Sequence, residues 1–457
     1  MRRSVLSMVC VCGLLAATAS ASNPNRVSAS KKGSLLIMSK VEIKWDVSGR
    51  VTQDTFIDLT NDFPGDVTVQ LYFINGDMPL DAVEVGSPPV MIERAHPGWN
   101  NVDCEIKLTG NQPTYWSALT GSNSGDSPSC QSFTVLDPGS PPGRPDLDGA
   151  PGDRVLRGYI LAWAVGLNNE DPPRFEEIRW NHLKADVVLV NYKNTAAWEY
   201  NAWSFQALGV PHGELTIGES GHLDLDGGEY DYAFNKLLLD FYATGSTALS
   251  SDDTTVQVDT DLTLHPVSVD LRQDTCGPVH VKADFDIWNQ NEVRFSGTQR
   301  CIWCWDQTLL SKYTVIANHF MRANLQTDKG KARIDGVQST VCEANPGACD
   351  EFRVCLEVFD CFFCQREVVG ASDCTTNDPL LGVSAKILVF SGANSGTAYA
   401  GSNLVGQGTE SATIKWDITD GSEELITGSR QSGPIDAGLN SNPRIEQAPT
   451  KASKRGR

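Results

Sequence analysis

Val67-Thr68-Val69-Gln70-Leu71-Tyr72-Phe73 carries an apolar side chain at every odd position, and Val41-Glu42-Ile43-Lys44-Trp45 does the same. A period of two describes a β-strand with one face on a core and the other in water. Similar runs follow at Cys104 to Leu108, Phe133 to Leu136, Arg157 to Val165, Val187 to Val190, Val279 to Trp288, Lys386 to Phe390 and Thr413 to Trp416. Turn residues separate them, and apolar residues almost never recur at three-four spacing. The stretch Tyr230 to Tyr242 could be drawn as a helix, but Leu237-Leu238-Leu239 before Phe241 fits a buried strand as well. Short strands with turns about every eight to twelve residues predict an all-β chain of antiparallel sandwiches, immunoglobulin-like in class.

The halves of the chain echo each other. Phe56 to Asp62 resembles Phe285 to Asn291, Leu183 to Val190 resembles Val383 to Phe390, and a Thr-Ala start recurs at Thr195 and Thr397. The expected organisation is a first sandwich over 22–215, a second over 216–425 and a disordered tail over 426–457. That tail is rich in Ser, Gly, Pro and Asn, too polar to offset the cost of ordering. Residues 1–21 read as a secretion signal: Arg2 and Arg3, an apolar run from Val5 to Ala17, then Ala19-Ser20-Ala21 for cleavage. The expected location is therefore extracellular or periplasmic, secreted or held in the cell envelope.

The segments Thr55 to Asp62, Val67 to Asp77, Asn111 to Trp116, Asp284 to Thr308 and Asn324 to Asp335 resemble a group of exported β-rich bacterial proteins with no assigned activity. The resemblance spans most of the mature chain and implies export and β-structure, without a chemistry.

With 37 basic against 57 acidic side chains, the chain carries a formal charge of −20. Nucleic acid is excluded as an expected partner, because such binding relies on Lys and Arg displacing counterions from phosphates. Apart from the leader, no apolar run approaches the roughly 20 residues of a membrane-spanning helix. The sequence contains no G-x-S-x-G, H-E-x-x-H or G-x-x-x-x-G-K-[ST] pattern. Its 7 histidines, His96, His182, His212, His222, His265, His280 and His319, are scattered singly. No catalytic, cofactor-binding or metal-ligating residue is assigned on these grounds, and no cofactor is expected.

Cysteine usage follows from export. Cys104 and Cys130 flank a Gly/Ser-rich segment and are candidates for a bridge, and nine more cysteines lie between Cys276 and Cys374. The pairs Cys301/Cys304 and Cys361/Cys364 have C-x-x-C spacing, but they lie much farther apart than the roughly 15 to 20 residues of a zinc ribbon. Disulfides are favoured over zinc. Asp146-Leu147-Asp148-Gly149 and Asp224-Leu225-Asp226-Gly227 have the look of calcium loops, yet neither completes the pattern, and Asx turns account for them. Trp198 and Tyr200 should share one strand face, Trp203 and Phe205 the other. Exposed, such a pair would make a platform for a glycan; buried, it fills the core. The expected function is a non-catalytic structural or adhesive role, with a glycan or another surface protein as partner. A carbohydrate-binding module is the alternative, and a glycoside hydrolase comes third.

Overall fold

Alternation in Val67–Asn75 does produce a strand, but both of its faces are buried. Val67, Val69, Leu71 and Phe73 enter one core, while Ile74 and Tyr72 pack into a second. In Arg154–Leu167, paired between Leu35–Trp45 and Val67–Asn75, Leu156, Ile160 and Ala162 point one way and Tyr159, Leu161 and Trp163 the other. Gly158 lies at the crossing of these strands, where a Cβ would collide with the Ile74 carbonyl oxygen. The expected water-facing side is therefore covered, and what covers it is the second half of the chain.

In the computed structural model, the described residues run from 32 to 427, without 78–81, 86–89, 94–100, 123–131, 137–141, 147, 168–174, 216–222, 224, 226–228, 232, 235, 246–253, 268–270, 272–279, 304, 314–317, 339–352, 357–362, 367–378, 393–394, 408–412 and 417–423. The leader expected at 1–21 and residues 428–457 of the expected tail lie outside them. A hairpin of Thr413–Trp416 with Glu424–Thr427 reaches into the start of that tail. The all-β class holds: among the described residues the paired elements are antiparallel strands, interrupted by two short 3-10 turns and the one-turn helix Arg322–Leu325.

Strand order is the same in both halves. In the first half one row is Asn101–Leu108, Val67–Asn75, Arg154–Leu167, Leu35–Trp45 and Trp203–Phe205. The second half repeats it as Arg294–Trp303, His280–Asn289, Lys329–Gln338, Lys236–Tyr242 and Val405–Gln407. The other row is Pro113–Ser117, Val51–Asn61, Leu183–Asn191 and Ala196–Asn201, answered by Asp306–Leu309, Thr254–Pro266, Leu380–Gly392 and Gly396–Asn403. Chain order agrees too. Of the three sequence echoes, that at Leu183/Val383 falls on corresponding strands, and that at Thr195/Thr397 falls at the start of the next corresponding pair. The echo of Phe56 in Phe285 does not, because Phe56 is on the second strand of its half and Phe285 on the third.

One difference separates the halves. Leu35–Trp45 is long enough to join both rows into a single 12-stranded sheet, whereas Lys236–Tyr242 and Thr254–Pro266 stay in separate sheets of 5 and 4 strands. A β-bulge between Met38 and Val41 bends the long strand. It also shifts the alternation: Leu36 and Met38 face the first-half core before it, Val41, Ile43 and Trp45 after it. The Tyr200 hydroxyl serves the bulged backbone, accepting from the Lys40 N–H at 2.8 Å and donating to the Lys40 carbonyl at 2.5 Å.

Candidate functional site

Three groups of side chains merit weighing as sites. The largest lies where the halves meet. Past the bulge, the face of Leu35–Trp45 opposite the core carries Lys40, Glu42 and Lys44, which would be wet in an isolated half. Lys40 and Glu42 are instead 1% and 2% exposed. Burying such charges is costly without partners, and each finds them. The Lys40 ammonium lies 2.6 Å from Asp261 of the second half and 3.6 Å from Glu42. Lys44 lies 3.2 Å from both Glu42 and Asp146, and Gln53 donates to Glu42 at 2.7 Å. Arg157 pairs with Asp77 at 3.0 Å and donates to Gln307 at 2.8 Å, and Gln307 donates to Asp261 at 2.9 Å. The Arg157 guanidinium lies 5.5 Å from the Trp305 ring centre, and the Trp305 indole donates to the Ser39 carbonyl at 2.8 Å.

Electrostatics in this joint define what it can do. Burial pushes the Glu42 carboxyl up, but Lys40, then Lys44 and Arg157, more than reverse this and hold it at about 2. Glu42 is thus a fixed anion, unsuited to donating a proton near neutrality. Burial also drives His265 down to about 4. Its neutral ring stacks on Tyr159 at 4.8 Å, with Nε2 2.9 Å from the Ser39 hydroxyl. The ionisable groups here are committed to one another.

A second group lies on the outer face of the second half. Asp286 accepts from Arg294 at 2.8 Å and from Arg333 at 2.7 Å. Both guanidiniums lie 5.9 Å from the half-buried Trp288 ring. Asp335 pairs with Arg333 at 3.0 Å. Burial, the largest influence, pushes the Asp335 carboxyl up. The corresponding face of the first half carries Tyr72, Ile74, Tyr159, Leu161 and Trp163 and is covered. Two faces with the same place in the fold therefore differ in chemistry, one apolar and closed, one charged and open.

The third group is an aromatic box at the margin of the first half. Phe63 lies beside both His182 and His212, with ring centres 4.6 and 4.4 Å away, and Trp180 sits 4.5 Å from His212. These histidines are 30 residues apart, so no local spacing announces their meeting.

Trp198 and Tyr200 do share a face, and Trp203 and Phe205 the opposite one, but the pairs pack into the two cores. Trp198 is partly covered by Gly401, where a Cβ would collide with its ring. The burial weighed against a glycan platform is the arrangement found, with Tyr200, Trp203 and Phe205 buried and Trp198 partly so. Asp146 forms the Asx turn, accepting from the Asp148 N–H at 3.0 Å, and its other oxygen meets Lys44. Asp224 and Asp226 lie outside the described residues, as do Cys130, Cys276, Cys304, Cys342, Cys349, Cys361 and Cys374. Cys104 packs against the first-half core, and strand register sets Cys355 opposite Cys364. Among the described residues, no group of three or more His, Cys, Asp or Glu is placed to hold a metal ion, and no helix is long and apolar enough to cross a membrane. Comparison with models of known protein families gives no match, and neither does comparison with curated proteins.

Proposed function

We propose that this chain is an exported, non-catalytic structural or adhesive protein of the cell surface or extracellular space, built as two immunoglobulin-like sandwiches and stapled by disulfides in its second half. The observation behind this reading is the joint between the halves. Its many ionisable side chains are mutually paired, with Glu42, next to Lys40 on its own strand, held ionised and the buried His265 held neutral. Catalysis needs a group free to exchange a proton or attack a substrate, and this cluster is spent on cohesion. For the same reason a glycoside hydrolase, which needs one carboxyl kept protonated beside another, gains no support from Glu42 and Asp261.

The carbohydrate-binding reading keeps a specific support, moved from Trp198 and Tyr200 to Trp288. An aromatic ring flanked by guanidiniums and carboxylates on an open sheet face offers stacking for a sugar ring and hydrogen bonds to its hydroxyls. Glycan-array binding with the purified mature protein, followed by a product assay on every bound glycan, tests both readings. Binding without turnover supports a contact role; release of product from a bound glycan overturns it.

A further inference from the structure

We propose that His182 and His212 form a two-imidazole site for a divalent transition metal of the zinc, nickel and copper class. Their Nε2 atoms are 3.4 Å apart. That is long for an N–H···N hydrogen bond, whose usual separation is about 2.9 to 3.0 Å. It matches two imidazole nitrogens on one tetrahedral ion, since bonds of about 2.0 to 2.1 Å at the tetrahedral angle set the nitrogens roughly 3.3 to 3.4 Å apart.

The surroundings point the same way. His212 adopts a left-handed backbone, φ 59°, a conformation uncommon for a residue with a side chain but one that histidine, like Asn and Asp, adopts more readily than most. It is held by pairing on both sides: the His212 N–H donates to the Arg179 carbonyl at 2.8 Å, and the Arg179 N–H to that of Gly213 at 3.0 Å. On the far side of the other ring, His182 Nδ1 lies 3.6 Å from Asp62 Oδ1, an oxygen that is buried without a hydrogen-bond partner. Closed to hydrogen-bond distance, a carboxylate behind an imidazole fixes the tautomer and aims the opposite nitrogen at a metal. Lys32 pairs with the second oxygen of Asp62. Phe63 and Trp180 confine both rings, so little side-chain freedom remains to be lost on binding. With two protein donors, the other positions on the ion are left to water or to donors from another molecule.

The test is calorimetric titration of the oxidised mature protein with zinc chloride and, separately, nickel chloride. One ion per chain is expected at this site. His182→Gln and His212→Asn should each weaken it at least ~10-fold, the loss reported even for residues behind the ligands. Asparagine tolerates the left-handed backbone, so His212→Asn keeps the loop while removing the imidazole. Asp62→Asn should weaken binding by ~10-fold with unchanged stoichiometry, and His319→Gln should leave it unchanged. Circular dichroism verifies that each variant is folded. Absence of binding at millimolar zinc and nickel overturns the proposal, as does binding that survives His182→Gln and His212→Asn together.

Discussion

Asn201 and Asn403 hold each other: the Asn201 N–H donates to the Asn403 side-chain oxygen at 3.2 Å, and the Asn403 amide donates to the Asn201 carbonyl at 2.7 Å. The two residues are 202 apart in the chain, the same interval that separates Thr195 from Thr397, so corresponding positions of the two halves meet face to face. Nearby, Asn194 donates to the Tyr399 hydroxyl at 3.1 Å. Asn403→Ala removes both bonds and should destabilise by about 1 to 2 kcal/mol, read as a lower urea midpoint at unchanged slope.

Removing the Lys40 ammonium should cost far more. Lys40→Met leaves Asp261 and Glu42 buried without their shared cation, and breaking such a group costs about 3 to 5 kcal/mol. Adding Asp261→Asn should restore part of the loss, since the stranded charge then disappears. Equal destabilisation of the single and double variants in denaturant titrations would contradict the pairing described.

Acid should weaken the fold in two windows. His265 is held at about 4 against an ordinary 6.5, so the unfolded chain binds its proton first as pH falls. Stability is complete above 6.5 and declines toward 4, by about 3 kcal/mol for a shift of this size. Glu42, held at about 2 against 4.5, contributes stability that is present above 4.5 and lost as pH falls through 2. His265→Gln should abolish the upper window and leave the lower one, in unfolding curves measured from pH 8 to pH 2.

Trp288→Ala tests the open face. The ring is half-buried between two arginines, so stability should change by less than ~1 kcal/mol beyond the packing lost. Any glycan recognised by the purified protein should lose affinity at least tenfold. Retained binding would place recognition elsewhere.

Strand character was legible in the chain because alternation is a local property: Val67 to Phe73 and Val41 to Trp45 announce their inner faces unaided. The destination of the outer face was not. Nothing near Lys40 indicates that Asp261, 221 residues on, will meet it, and a charged residue on an alternating strand ordinarily points to water. The same gap explains Tyr159, Leu161 and Trp163, which look like one more apolar run until a second layer is seen to need them. Grouping of Trp198 with Tyr200 and of Trp203 with Phe205 followed from periodicity, whereas their burial depended on neighbours such as Gly401. His182 and His212 read as solitary because their meeting is made by a loop that crosses between strands. Of the repeat, the echoes that survived belong to corresponding hairpins, and the Phe56 echo reflected shared strand composition.

The continuous core has a consequence for biosynthesis. The apolar face of Arg154–Leu167 is complete once its strand has been made, but the strands that cover it are still to come, and Asn403 follows Asn201 by 202 residues. At about 5 to 20 residues per second, the nascent first half must wait roughly 10 to 40 seconds with Tyr159, Leu161 and Trp163 uncovered. A first half expressed alone would keep that sticky surface for good, and should aggregate where the full chain does not.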